Sequence, residues 1–586
     1  MKTCKGIGTN GRIPLSSIRY RASRYIRKTI YTESLTVLGL DTEAWQTGQC
    51  FMITTSLGDV FSYNQYPAFL FSRKYRGRSF VCYNLAYDEG ALLQVLPREG
   101  LQALRAGQPS EWQGYTFRSI PKKCLTIHRG SHSVHIYDMY NFYQGSLAYN
   151  AETYLSAAKL ELETKRFGVD FVTDNWSRIG EYSVRDSTLV ASLAEMIIKR
   201  FESYGIYPRK LFSTAYISYQ YFSTHTPYVT VRKYWQHCKP LLQASIDSYN
   251  GGKFEVTTKG AGFFYEYDII SAYPAEIRNL IDISWARVEE SPKYQKNAIY
   301  AFLHVQGKLP VGIHSPVAYK YRSVNVYPVG YFDKWVTLAE YDWLLTQGAD
   351  LSIQEGWWLK CDNRQYPYRK EIDRLTALKT VAKKEGRALD YHTLKILLNS
   401  LYGKMVQLIP KNEHYEASTC WNPIYGAIIT ANVRIRVSEM QQAHASIWAV
   451  HTDSVISTSP LPTPKAAGLG DFEPTVSGPG VILGSGIYQI GSKVRFRGFN
   501  CSRDLLSMLD IPRATLPLTD VRAHSWKEVC FHNWELCLIN RFESLPRTLR
   551  VDFDRKRIWL QDWKTFAETL LRPVESLPYY RDPWGF

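Results

Sequence analysis

Residues 448–457 read WAVHTDSVIS, an apolar stretch that passes through Thr-Asp-Ser into β-branched residues. This pattern predicts a tight hairpin with one carboxylate, Asp453, at its tip. Enzymes that move phosphoryl groups with two metal ions present acids in this way, because hard cations take oxygen ligands. Many such hairpins carry two acids, as D-T-D; here His451 stands first. A second apolar strand, FYEYDIISAYPAE, delivers Asp268 and turns at Ser271 to Pro274. Tyr273, just past the turn, has the bulk to close over a nucleotide sugar and exclude a 2′-hydroxyl. In KILLNSLYGK, Lys395, Asn399 and Tyr402 fall at i, i+4 and i+7. One helical face therefore carries a cation, an amide and a ring, suited to a triphosphate and a stacked base pair. The preceding helix, RLTALKTVAKK, adds Lys379 as a second phosphate contact.

A separate acid set lies near the N-terminus. Asp41 and Glu43 end a predicted strand (GLDTEAW), where alternation puts both on one face. Asp88 follows Asn84 and Tyr87 at a strand-to-helix junction, VCYNLAYDEG. Tyr182 and Asp186 lie four apart on one helical face, in EYSVRDS. Four carboxylates for metal and a tyrosine hydroxyl to orient water would serve phosphodiester hydrolysis. Each match alone is a common chance occurrence; their order, D-x-E, N-x-x-Y-D, Y-x-x-x-D, carries the weight.

The elements that must position these residues follow an α/β pattern to about residue 200. A Gly-Gly turn and a second strand come next, then a helical hairpin over 362–404 broken at Gly386, then mixed helix and strand to 500. Apolar residues make up 45% and aromatics 14% of the 586, which describes a folded chain with room for several units. The formal net charge of +17 suggests a polyanionic partner, most simply nucleic acid. The ten cysteines form no CxxC pair or zinc-type cluster, which argues against structural zinc and against a disulfide framework. A reducing cytosol, that of a host if the element is viral, fits best. No apolar run reaches the ~18 residues of a membrane span, and the basic N-terminus lacks a secretory core. Residues 1–32 read either as an arm along a phosphate backbone or as a solvated extension.

Taken in order, D-x-x-S-x-Y-P, K-x-x-x-N-S-x-Y-G and T-D-S resemble motifs A, B and C of family B DNA polymerases. The acid set resembles the three motifs of their proofreading 3′–5′ exonuclease. Tyr249, Gly251 and Gly252 in SYNGGKFEV resemble the Y-x-G-G segment between the two activities. Thr430 and Arg434 in IITANVR resemble a T-x-x-x-R segment near the primer–template duplex. Ser146 and Leu147 resemble a segment that binds single-stranded DNA and terminal protein. The chain looks closest to the short, protein-primed branch, and Lys165 sits where that branch often has a lysine supporting the nuclease metals.

The resemblance implies an RNase H-like exonuclease domain plus a right-hand polymerase of palm, fingers and thumb, α/β and α+β in class. Its implied divisions are a basic extension 1–32, exonuclease 33–215, linker and first palm part 216–295 and a terminal-protein-contacting insertion 296–360. Fingers 361–404, second palm part 405–500 and thumb with tail 501–586 complete them. Catalysis and Mg²⁺ ligation, with Mn²⁺ as substitute and two ions per site, fall on Asp268 and Asp453 for synthesis. Asp41, Glu43, Asp88 and Asp186, with Tyr182, serve hydrolysis. The implied partners are primer–template DNA, dNTPs and a separate priming protein, around a monomer. Asn84 and Tyr87 are DNA contacts. Two departures stand out. The stretch from Gly403 to Asn422 is short, which puts strand displacement and processivity in doubt. Gly486 stands where a primer-binding lysine is common, so Lys493, Arg495 and Arg497 either supply that charge or form a solvated strand. Read residue by residue, an imidazole at 451 predicts activity that falls with pH through the ordinary histidine range. The competing reading is a DNA-binding replication factor with a degenerate polymerase site and an active nuclease. A sequence-specific DNA-binding protein finds no recognition motif.

Overall fold

The structure is a computed structural model that describes residues 13–20, 32–143, 145–162, 167–227, 229–411, 413–418, 420–499 and 504–586. Lys165 and most of the basic N-terminal extension lie outside them.

The first unit is built on an eight-stranded sheet. At its centre Val37–Ala44 and Ser79–Cys82 pair in parallel, and Ser79–Cys82 pairs in parallel with His132–Asp138. The long Val169–Ser203 helix lies on this sheet. Small residues allow the approach. A Cβ at Gly39 would fall 1.7 Å from the Ser187 carbonyl oxygen, so only glycine lets strand and helix meet here. Thr54 bonds the hydroxyls of Ser183 and Ser187 at 2.8 and 3.0 Å, which locks the helix in register.

The second sheet carries the other acids. The twelve-residue strand Thr258–Ile269 runs antiparallel between Ser454–Ser457 and Phe472–Gly484. Ile447–Thr452 pairs with Ser454–Ser457 in the hairpin expected from WAVHTDSVIS, and with Lys253–Val256 on its other side. Two antiparallel helices, Arg369–Lys384 and Ala388–Asn399, form the expected helical hairpin. Gly386 between them has φ +67°, the left-handed region glycine tolerates at a helix end. An insertion sheet is laid down by Arg287–Glu290, Tyr300–Leu309, Val329–Thr337 and Asp350–Lys360. Tyr580–Arg581, at the far end of the chain, joins it in parallel.

Two segments sit differently from their sequence reading. Residues 13–20 are held to the body. Ile18–Arg19 pairs in parallel with Tyr415–Ala417, the second strand of a short hairpin in the abbreviated stretch after Gly403. Leu15, Ile18 and Tyr20 are buried, so this part is neither a free arm nor a solvated extension. The tail is not confined to a thumb: Trp526, Val529 and Cys530 pack into the core of the first sheet.

Candidate functional sites

The N-terminal acids converge on one cavity of about 1090 Å³ lined by Asp41, Glu43, Asp88, Asp186, Tyr182, Asn84 and Tyr87. Each comes from a different device. The strand presents Asp41 and Glu43 on one face. The helix after Ser79–Cys82 begins at Leu85 and buries Asp88, whose carboxylate accepts from Thr42 Oγ1 at 2.8 Å. The close-packed long helix brings Asp186, and its Ser183 hydroxyl donates to Asp41 Oδ2 at 2.9 Å. Burial, then the neighbouring carboxylates, pushes the Asp41 carboxyl well up. Glu43 and Asp88 are also raised, burial again leading. Crowded carboxylates that resist ionising are a donor set a divalent cation would relieve, so the residues fit Mg²⁺. Among the described residues no three His, Cys, Asp or Glu side chains form a ready-made metal cage.

The cation already present is Lys159, which sequence reasoning missed. Its ammonium is ion-paired with Asp186 and lies 4.8 Å from the Tyr182 ring centroid. Its pKa is pushed up by Asp186, against the effect of burial. Nothing local in SAAKLELE marks it, because a loop and not an element carries it to the cavity. Ser146 and Leu147 both have partners within the fold. Ser146 caps the Leu147–Leu155 helix by accepting from Tyr149 N at 3.1 Å, and Leu147 packs against the core. Their neighbour Ala148 lines the cavity instead.

At the second site the strand ladder sets the geometry. Asp268 is in register with Ser454, and the Asp453 carbonyl accepts from Ile269 N at 2.9 Å, so the hairpin turn that holds Asp453 abuts the end of the Asp268 strand. Burial, then Glu266, raises Asp268 to about 6, with Asp453 and Glu473 adding to the rise. Asp453 is raised by burial and by Glu266. Glu266 and Glu473 were missed from sequence. The Y-E-Y-D alternation could have shown Glu266 on the face of Asp268, and Glu473 is the cross-strand partner of Asp268. Glu266 is buried, bonds the Tyr488 hydroxyl at 3.0 Å and is ion-paired with Lys493.

Lys493, one of the three basic residues expected near the primer, is ion-paired with buried Glu266. Arg495 and Arg497 are exposed. Arg497 lies 4.7 Å over the Phe254 ring, and its Cβ and Cδ fill the space a side chain at Gly486 would need.

Three tyrosines from three motifs meet. Tyr273 stacks on Tyr402 at 4.7 Å and 4°, and the Tyr402 hydroxyl bonds that of Tyr249 at 2.7 Å. Lys379 donates to Ser271 Oγ at 2.6 Å. Burial, then the charge of Lys395, lowers its pKa, and Lys383 adds to the effect. Lys379, Lys383 and Lys395 thus form one basic cluster beside the Asp268 turn. Lys395 and Asn399 are exposed on their helix.

Thr430 and Arg434, expected near the primer–template duplex, point inward. Both are fully buried. Thr430 bonds the Gly426 carbonyl at 3.1 Å. Arg434 donates to the carbonyls of Asn250, Gly251 and Pro316 and to Glu340, with neither partner of that ion pair exposed. Arg434 therefore shapes the Gly-Gly turn from beneath. Gly252 is needed there, since a Cβ would meet Thr452 Cγ2 at 2.5 Å, whereas Gly251 borders open space. His451 is buried between Phe254 and Tyr488, with ring centroids at 4.5 and 4.9 Å. Burial, then Lys556, Lys493 and Arg497, lowers its pKa to about 3. It is a neutral wall residue, not a group that titrates near neutrality.

The comparisons with known proteins agree with this architecture. The family described as DNA polymerase type B, organellar and viral, matches residues 110–418, more than half of the chain. No curated protein matches in sequence. In fold the chain is similar to Phi29 DNA polymerase complexed with primer-template DNA and incoming nucleotide substrates. That match has a TM-score of 0.63 and 14% identity and covers 88% of this chain and 100% of the other. The same polymerase complexed with single-stranded DNA gives a TM-score of 0.56 and 16% identity over 78% and 86%. Among the described residues no helix is long and apolar enough to cross a membrane.

Proposed function

Since the chain belongs to the type B DNA polymerases of the organellar and viral kind, we propose that it extends primers at Asp268 and Asp453, proofreads at the Asp41 cavity and begins synthesis on a protein hydroxyl. The observation that carries the reading is the presence in one chain of two separate acid sites, one on a stiff antiparallel ladder and one in a cavity. The cavity unit, 33–215, is the exonuclease. Residues 216–295 and 405–500 form the palm, 361–404 the fingers, 296–360 the priming-protein insertion, and 501–586 the thumb and tail.

At the palm, Asp268 and Asp453 would hold divalent cations, and Lys379, Lys383 and Lys395 neutralise the incoming triphosphate. The Tyr273–Tyr402 stack closes the sugar side of the pocket, where it excludes a 2′-hydroxyl. In the cavity, Asp41, Glu43, Asp88 and Asp186 hold cations, the Tyr182 hydroxyl orients water, and Lys159 fixes Asp186. Asn84 and Tyr87 contact the frayed primer end. Divalent cations, two Mg²⁺ at each site, supply Lewis acidity toward the attacking and leaving oxygens when bound.

The test is primer extension with Mg²⁺ and four dNTPs, alongside incubation with the proteins encoded next to this gene. Incorporation into a primed template, and a labelled nucleotide joined to one of those proteins, are the expected results. Degradation without any incorporation sinks the polymerase reading. Extension of DNA primers with no protein ever labelled sinks protein priming alone.

A further inference from the structure

The nuclease cavity has one wall that its own unit does not supply. Strands Thr515–Ala523 and Phe542–Arg550 pair antiparallel as an exposed ribbon of nine residues a side, roughly 30 Å long at about 3.3 Å per residue. At one end Leu516, Leu549 and Val551 join the core that holds Val481, Leu483 and Ile487 of the palm sheet. At the other end the segment between the strands is fastened to the nuclease unit. The indole of Trp526 donates to Glu89, Arg98 donates to the Trp534 carbonyl at 2.7 Å, and Asn540 Nδ2 donates to the Tyr87 carbonyl at 2.8 Å.

Phe542 is the ribbon residue at that nuclease end. It lines the cavity with Asp41, Glu43, Asp88 and Tyr182, and is 51% exposed. Its ring centroid is 6.1 Å from that of Tyr87, at 33°, so the two rings are splayed and not stacked. Docking of the ribbon is already secured by Trp526 and Asn540. Half of this apolar side chain is left in water, beside carboxylates, where it adds little to stability. A half-exposed ring next to a hydrolytic site does have one use, because every nucleobase has a π-face on which it can stack.

We infer that Phe542 is a substrate-contacting residue of the nuclease, stacking the base of the 3′-terminal nucleotide while the carboxylates act on its phosphate. Stacking is indifferent to base identity, which suits a site that must accept any mispaired end. The inference rests on the exonuclease reading above. It makes the nuclease a composite site, completed by the segment that also packs on the palm.

The test compares the full-length protein with Phe542→Ala, Phe542→Trp and Asp41→Asn on single-stranded oligonucleotides ending in a normal or an abasic 3′ residue. Phe542→Ala is expected to raise KM for the normal end by roughly tenfold, in the range of a lost base–aromatic stack, with kcat within about twofold. It also abolishes the preference for a base over an abasic end, Phe542→Trp restores both, and primer extension is unchanged. If Asp41→Asn stops degradation but Phe542→Ala treats both ends as the wild type does, the inference fails and the exonuclease reading stands. If Phe542→Ala loses primer extension as well, the residue serves docking and the inference fails. If Asp41→Asn degrades DNA normally, both readings fall.

Discussion

The cavity and the palm site both gather carboxylates from distant segments, but they balance charge to different degrees. Among the described residues the cavity is lined by six acids, the four motif acids with Glu152 and Glu161, and sets one lysine, Lys159, against them. The palm places Asp268 and Asp453 beside two further acids, Glu266 and Glu473, and sets the sheet cation Lys493 near Asp268. Lys493 pairs with Glu266. Beneath the hairpin, buried Glu255 is held by Arg557 of the tail at 2.7 Å and by Lys253 at 3.6 Å. The cavity is thus a site whose fold tolerates charge repulsion until cations arrive. The palm is compensated in part: Glu266 and Glu255 are ion-paired, while burial and neighbouring acids still raise Asp268 and Asp453. Uncompensated like charge in a buried site disfavours the folded state, whereas a paired buried charge becomes strongly destabilising when its partner is removed.

The contrast is broken most sharply by exchanging acids for amides. Asp453→Asn is expected to lower primer extension by at least about a thousandfold, the equivalent of several kcal/mol of metal-assisted catalysis, while leaving degradation intact. Asp41→Asn should do the reverse, and matched extension and degradation assays on both variants check the crossing.

Stability should split along the same line. Glu255→Gln leaves Lys253 and Arg557 buried without their counter-charge, and is expected to destabilise the palm by about 3–5 kcal/mol in denaturant unfolding. The Glu255 carboxyl is held down at about 2, with Arg557 and then Lys253 outweighing burial. Its contribution is therefore complete above the ordinary carboxylate pKa and lost as pH falls toward 2. Asp41→Asn removes a carboxyl whose ionisation the crowded cavity opposes and should raise the melting temperature of the N-terminal unit by roughly 2–4 °C, as about 1 kcal/mol does for a unit of that size. A fall in melting temperature would show that the carboxylate is compensated after all.

The smallest effect is predicted for His451. Its imidazole is lowered from 6.5 to about 3, so it stays neutral at all working pH values. The pH profiles of extension for the wild type and His451→Gln should superimpose above about pH 5. The unfolded chain takes up this proton more readily than the folded one, so the histidine costs stability only as pH falls from 6.5 toward 3. A separation of the two profiles near pH 6.5 would restore the titrating role that the HTDS pattern suggested.

Residues whose chemistry depends on local periodicity were legible in the chain. Strand alternation placed Asp41 with Glu43, helical spacing placed Tyr182 with Asp186 and Lys395 with Asn399, and the apolar run before Asp453 gave the hairpin. These patterns survive because side-chain direction repeats every two residues in a strand and every 3.6 in a helix, whatever the surroundings. What was not legible depends on contacts between segments far apart in sequence. Lys159 arrives on a loop, Glu473 by cross-strand register, and Phe542 from a ribbon at the other end of the chain. Arg434 and Lys493 carry the residue types of DNA contacts. Their partners Glu340, the Asn250 and Gly251 carbonyls, and Glu266 instead draw them inward.

The sequence by itself determined which residues could hold cations, phosphate and a sugar, and on which element faces they lie. Only the tertiary structure decided which of those charges remain available. A charged side chain is free or spent according to the partner that packing brings within hydrogen-bond reach, and burial multiplies the energy of that choice. For His451 the same rule applies without a partner. The sequence supplied an imidazole at a metal hairpin, and burial between Phe254 and Tyr488, among three cations, keeps it neutral.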